Sequence, residues 1–322
     1  MSKSPRKILF FRFDSRIGDS VVHSFFLREL KKLFPAAQLT VATFAPNEQF
    51  FENRPYVDKV KVLPPLPSAH RPADYLDLSV LYSLLRMLVH TYTGGYDFVI
   101  VNPVLATARN RFYSRLLAHA VCPRFDYTRH ITHSYEQLLR HLGAVHIDTS
   151  YPNLLEAPHH AYARQFLQQQ GLQPGQFWVV NPVGSMPCKT LGAEQLHALL
   201  EIFHQKQIPV LLLDYKNQFA HVSERRCTAS SILNVWAVLA QAGGVVSVDT
   251  GIVHLADTCQ KPMLVLYAHD KYGTQYNHIF WASRQRTTRW LQGTNTVQDI
   301  PTAHIQQTLM ELLHPTTSTP RC

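Results

Sequence analysis

KILFFRFDSRIGDSVVHSFFLRELKKLFPAAQLTVATF, residues 7–44, is where the fold can first be read. It opens with an apolar, β-rich run, KILFFRF (7–13), and closes with a second one, QLTVATF (38–44). Between them Val21, Val22, Phe25, Phe26, Leu30 and Leu33 recur at steps of three and four, which predicts an amphipathic helix with Lys31 and Lys32 on its outer face. Strand, helix and strand in that order make a βαβ unit, the building block of parallel sheets.

The same alternation continues outward. KVKVL (59–63) and YDFVIVN (96–102) are further strands, and periodicity then fails at HIDTSYPNLLEAPHH (146–160), whose two prolines and polar residues mark a linker between domains. Beyond it the strands FWVVNP (177–182), IPVLLLD (208–214), GVVSVD (244–249) and PMLVLY (262–267) alternate with helical segments such as EQLHALLEIFHQ and NVWAVLAQAG. TAHIQQTLMELLHP reads as one amphipathic helix and PTTSTPRC as a frayed tail. The expectation is an α/β protein of two doubly wound parallel-sheet domains, 1–155 and 156–300, with a C-terminal helix and tail at 301–322 and a cleft between the lobes. A chain of 322 residues fits two domains of ordinary size.

Composition narrows the classes. Hydrophobic residues make up 46% and aromatics 11%, enough for packed interiors. The net charge of +9 is concentrated before residue 156, so the first half is expected to meet an anion. There is no zinc-finger spacing and no basic helix with heptads, so nucleic acid is not the expected partner; phosphorylated small molecules or anionic lipid head groups fit. Cys122, Cys188, Cys227, Cys259 and Cys322 are scattered and never form a C-x-x-C pair, which argues against a disulfide framework or structural zinc and for a reducing cytoplasm. The apolar run at the N-terminus is too short for a signal peptide, and no window reaches the length of a membrane span; peripheral attachment is compatible.

In doubly wound sheets ligands collect beyond the carboxyl ends of the strands, which singles out three turns. In DSRIGDS, Gly18 permits close backbone approach, and Asp19 stands where a helix N-cap belongs; it either caps the helix or takes a proton in catalysis. In NPVGSMPCK, Gly184 and Ser185 offer backbone and hydroxyl to phosphate oxygens and Lys189 a point charge, although a loop lysine is equally read as a solvated one. In VVSVDTGIVHLADT, Asp249 ends a buried strand and Thr250 and Gly251 open a helix whose N–H groups can seat an anion. His254, one turn on, either donates to that anion or is a satisfied core histidine with Asp249 as the cap. Neither G-x-G-x-x-G nor a Walker loop is present.

These turns, in this order, resemble the heptosyltransferases of glycosyltransferase family 9, which build the inner core of bacterial lipopolysaccharide. RFDSRIGD matches the family's R-x-D-x-x-G-D element, FPAAQLTVATF its second strand, NRPYVDKV its N-P-x-[VI]-D segment, NPVGSMPCK its N-P-x-[GA]-S…K and SVDTGIVHLAD its S-x-D-T-G-x-x-H-x-A. The resemblance implies a GT-B type fold of two Rossmann-like domains, the donor held by the second and the acceptor by the first. It implies inverting transfer, usually from ADP-heptose, with Asp19 as general base and Lys189 on the diphosphate. Asp249, Thr250, Gly251 and His254 then form the donor turn, to which Gly18, Gly184 and Ser185 are assigned as well.

An acceptor hydroxyl needs a carboxylate to remove its proton, and the departing diphosphate needs positive charge. No D-x-D triplet occurs, so neither a metal nor another cofactor is expected, and Ser20 could cap the helix if Asp19 is the base. Arg109, Arg111 and Arg115, with Arg71 and Arg124, are candidates for binding carboxylates or phosphates of the lipopolysaccharide core, or else lie on a solvated helix face. The implied setting is the inner face of the cytoplasmic membrane, reached by peripheral contact. LYAHDKYGTQYN and VLLLDYKNQFAH depart from the family pattern, which leaves another nucleotide-sugar donor as the alternative, together with a nucleotide-sugar 2-epimerase.

Overall fold

The fold is taken from a computed structural model. It describes residues 4–12, 16–45, 47–63, 93–102, 120–121, 123–215, 217–229, 231–269 and 277–314, with single positions at 82, 85 and 89. The chain divides into two compact units. The first comprises Met1–Asp126 and Ile131–Pro152; the second comprises Asn153–Cys322 together with the four residues Tyr127–His130.

The first unit is built on β1 (Lys7–Arg12), β2 (Gln38–Phe44), β3 (Lys59–Leu63), β4 (Phe98–Asn102) and β5 (Ala120–Val121), in the order β3-β2-β1-β4-β5. Every pairing is parallel: β1 takes β2 on one side, with Phe10 opposite Val41, and β4 on the other, with Phe10 opposite Ile100. Ile8, Leu9, Phe10 and Phe11 are all buried, as a strand covered on both faces requires. Strand order reverses at β1, so the carboxyl end of β1 is the switch point of this sheet.

Helix α1 (Ile17–Leu33) follows at that point, but it is not the half-exposed amphipathic helix its spacing predicts. Gly18 through Leu27 are buried without interruption; Ile17 and Arg28 are half-buried, and Lys32 in the last turn is exposed. Helix α2 (Ile131–His141), unassigned from the sequence, packs against it. Tyr135 of α2 sets its ring against Phe25 and Phe26, and its hydroxyl bonds His23 Nε2 at 2.7 Å. Ser24 donates to the Val21 carbonyl, and Ser20 accepts from Arg12, so these buried polar groups are bonded locally. Burial leaves His23 neutral, well below the usual imidazole range, with the Arg12 charge acting in the same direction.

The second unit holds β6 (Trp178–Asn181), β7 (Val210–Leu213), β8 (Arg225–Cys227), β9 (Gly244–Val248), β10 (Met263–Tyr267) and β11 (Thr288–Gln292), in the order β11-β10-β9-β6-β7-β8, again wholly parallel. Its helices of eight or more residues, among the described residues, are α3 (Ala157–Gln170), α4 (Ala193–Gln205), α5 (Ile232–Leu239), α6 (Gly251–Thr258) and α7 (Thr302–Leu313). Pro158, read in the sequence as linker, lies in the first turn of α3, where its missing N–H is not needed. Trp178, Val180, Leu199, Phe203, Val246, Leu264 and Leu309 pack into one core. Here the order reverses at β6, between β7 and β9, which puts the switch point at the carboxyl ends of β6 and β9.

Candidate functional site

The residues leaving β6 and β9 meet at that switch point. Asn181, the last residue of β6, stands opposite Ser247 in register. Its buried side-chain amide donates to Ser247 Oγ at 3.0 Å and to Thr250 Oγ1 at 2.9 Å. Thr250, not Asp249, is the N-cap of α6, its Oγ1 accepting from the Ile252 N–H. Asp249 is thereby released from capping. Its Oδ2 lies 2.6 Å from Lys189 Nζ, and the two side chains are only 14% and 12% exposed, so Lys189 is not a solvated loop lysine.

Lys189 closes a one-turn 3-10 helix, Pro187–Lys189, and the loop that carries it folds back on itself. The Leu191 N–H donates to the Pro182 carbonyl, and the Gly184 N–H to Thr190 Oγ1. Gly184 is required by close approach: a Cβ there would lie 2.5 Å from both Lys189 Cβ and the Lys189 carbonyl oxygen. Gly184→Ala is therefore expected to destabilise the second unit by about 1–3 kcal/mol, seen as a lower urea midpoint for that unit. Ser185 is exposed on the same loop, and Gly251 opens α6 half-buried.

His254 lies one turn into α6 and is buried; among the described residues its Nδ1 has no hydrogen-bond partner. The Trp281 ring meets it edge-on, with centroids 5.8 Å apart. Burial lowers its pKa, opposed by the negative charges of Asp257 and Asp249 and reinforced by Arg284. His130, from the short segment that belongs to this unit, is held down to about 3 by burial, with His254 and Arg284 adding repulsion. Its Nε2 pairs with the Ala282 carbonyl at 3.1 Å; a carbonyl only accepts, so the proton sits on Nε2. Asn181, His130, Asp257 and Trp281 were not singled out by the sequence reading, although Asn181 begins the NPVGSMPCK turn and Asp257 ends the HLAD stretch.

In the first unit, Asp19 is not the N-cap of α1. That position is Arg16, with no side-chain cap bond; Asp19 stands in the first helical turn, 2% exposed, beside the equally buried Gly18. Ser20 does not cap either, its hydroxyl bonding back to the Arg16 carbonyl at 3.3 Å. Arg12, wholly buried, donates to Ser20 Oγ and to the Arg16 carbonyl and lies 5.2 Å from the centroid of the Phe51 ring. A first-turn carboxylate is favoured by the positive end of the helix dipole. Of the arginines proposed for the acceptor, Arg124 is exposed after β5; Arg71, Arg109, Arg111 and Arg115 lie outside the described residues, as does most of the loop after Tyr267.

Two wholly parallel sheets, each doubly wound and each with a switch point ending in polar residues, define an α/β fold of the GT-B type. The model of glycosyltransferase family 9 (heptosyltransferase) matches residues 110–288, more than half of the sequence, and the chain belongs to that family. It is similar over 96% of its length to a glycosyltransferase family 9 structure from Veillonella parvula, covering 97% of that chain at 17% identity with a TM-score of 0.74. It is also similar to the Escherichia coli heptosyltransferase WaaC with ADP, over 95% of this chain and 99% of that one, at 16% identity and a TM-score of 0.66. An Escherichia coli protein with the provisional name lipopolysaccharide heptosyltransferase 4 is 21% identical over 71% of this chain; the match spans 61% of that relative's length.

Proposed function

We propose that this chain is an inverting glycosyltransferase that moves a heptose from ADP-heptose to an anionic acceptor of the lipopolysaccharide inner core. One observation carries the reading: a lysine and an aspartate 60 residues apart are paired at the switch point of the second sheet, beside the capped N-terminus of α6 and the buried His254. That is a seat for a diphosphate. Lys189 supplies charge, the first N–H groups of α6 supply donors, and the imidazole of His254 supplies a further one.

In this reading the acceptor hydroxyl gives its proton to Asp19 as its oxygen bonds the anomeric carbon. The bond from that carbon to the diphosphate oxygen breaks, its electron pair leaves with ADP, and the configuration inverts. Family membership supports the reaction class, and the similar WaaC structures with ADP and with ADP-2-deoxy-2-fluoro heptose support the choice of donor. The basic first half supports an acceptor carrying carboxylates and phosphates, met at the inner face of the cytoplasmic membrane by peripheral contact. Among the described residues no helix is long and apolar enough to cross a membrane.

The test is ADP release from ADP-heptose with and without a lipopolysaccharide-core acceptor. Release of the nucleoside diphosphate is expected to depend on the acceptor and to fall at least about tenfold when UDP- or GDP-sugars replace ADP-heptose, the size of about one hydrogen bond lost from a mismatched base. Conversion of donor alone would instead identify an epimerase, and equal rates with other nucleotide sugars would overturn the choice of ADP-heptose.

A further inference from the structure

Asp257 has no place in the scheme above, yet it is one of the most thoroughly bonded carboxylates in the second unit. It is 2% exposed, three residues past His254 on α6 and so beside it on the helix surface. Its Oδ1 accepts from Ser283 Oγ at 2.9 Å and from the Arg284 N–H at 3.2 Å, and that N–H also lies 3.3 Å from Oδ2. The Gln285 amide donates to the Asp257 carbonyl, and Thr288 donates to Ser283 Oγ. The loop fixed in this way delivers Trp281, whose ring edge closes on His254 and whose carbonyl accepts from the Tyr267 hydroxyl at 3.4 Å. A carboxylate costs several kcal/mol to bury, and a loop could be stapled with neutral groups. Its charge is met in part by the Arg284 guanidinium, whose Nε lies 4.0 Å from Oδ2, and its neighbour on the same helix is an imidazole whose Nδ1 has no partner among the described residues.

We propose that Asp257 is a positioning residue for the donor turn: clamped by the Ser283–Gln285 loop, its carboxylate and the Trp281 ring together hold the His254 imidazole oriented and ready to carry positive charge toward a diphosphate. This rests on the donor-turn reading of His254. Among the described residues, Asp257 and Asp249 favour its cation, with Asp249 already engaged by Lys189; Arg284 opposes it, His130 beside it is neutral, and Tyr267, near the same two carboxylates, is un-ionised. Of the two carboxylates, Asp257 has the larger effect on the imidazole. Loss of the Asp257 charge moves the His254 titration to lower pH, so a step that uses the imidazolium fails at a lower pH than in the wild type.

The experiment is a histidine NMR titration of the full chain, with the His254 signal assigned by its loss in His254→Gln, run with and without ADP and joined to pH profiles of donor kcat/KM. ADP is expected to raise the wild-type His254 midpoint. Asp257→Asn, which keeps the shape of the clamp, is expected to lower that midpoint, to shift the alkaline fall of kcat/KM to lower pH and to reduce it about tenfold above neutrality. Ser283→Ala removes one bond to the carboxylate, together with the Gln285 and Thr288 bonds to the same hydroxyl, but no charge, and leaves the midpoint in place. If ADP moves His254 but Asp257→Asn leaves midpoint and profile unchanged, the inference fails while the donor turn stands. If ADP does not move His254, both fail. Should Asp257→Asn not fold, Asp257→Ser meets the same criteria.

Discussion

Asp19→Ala is expected to lower sugar transfer by about 10² to 10⁴, the range that a positioned general base contributes, while ADP binds within about twofold of wild type, because the residue is assigned to the acceptor and not to the diphosphate. Asp19→Asn, nearly isosteric, should lose transfer to the same degree, which separates basicity from shape. Calorimetric titration with ADP and a single-turnover transfer assay check the two halves. Transfer by either variant at more than about a tenth of the wild-type rate contradicts the assignment. The stringency of this test comes from the structure: at 2% exposure Asp19 presents almost no surface, so an acceptor hydroxyl must reach it through what covers it. A crystal structure with acceptor bound, and Asp19 still sealed beyond hydrogen-bond distance, would remove it from the mechanism.

Lys189→Met tests the other assignment, and its effects divide in a recognisable way. Removing the lysine leaves Asp249, 12% exposed, as a poorly compensated charge, which costs about 2–4 kcal/mol after allowance for the remaining contact with water. It also deletes a charge-assisted contact to the diphosphate, for a further loss of about 10- to 100-fold in ADP affinity. Adding Asp249→Asn should restore most of the stability, because the orphaned charge is gone, but none of the affinity. Urea denaturation and calorimetry on the single and double variants check this. Recovery of ADP binding together with stability would mean that the pair only holds the fold.

How much of this was readable beforehand follows from what each element asks of its residues. A strand buried on both faces must be apolar throughout, so VLLL and GVVSV announce themselves, whereas the edge strand β8, only Arg225–Cys227, carries two arginines and gives no such signal. The periodicity of α1 indicates a helix, but it cannot reveal that α2 covers the opposite side, because that depends on a partner more than a hundred residues away. The site shows the same division. Lys189, Asp249, Thr250 and His254 could be named because small and charged residues at strand ends are chemically conspicuous. That Lys189 pairs with Asp249, that Asn181 ties β6 to the cap of α6, and that Asp19 is a first-turn residue and not a cap are facts of register and helix start. His130 was the least accessible of all, since nothing in YTRHITH indicates to which body it belongs.

That short passage of chain has a practical corollary. Tyr127–His130 is counted with the later body, although the helix that directly follows, Ile131–His141, is counted with the earlier one. No single scission can therefore liberate either half intact. A fragment beginning at Asn153 would forfeit the His130 bond to Ala282 and the Tyr127 ring against Phe280, and one stopping at Asp126 would lose Tyr135 and leave His23, Phe25 and Phe26 without it. In evolutionary terms, the two bodies are interlaced along the polypeptide, and recombination that exchanges one for a homologue has to respect three crossover points rather than one.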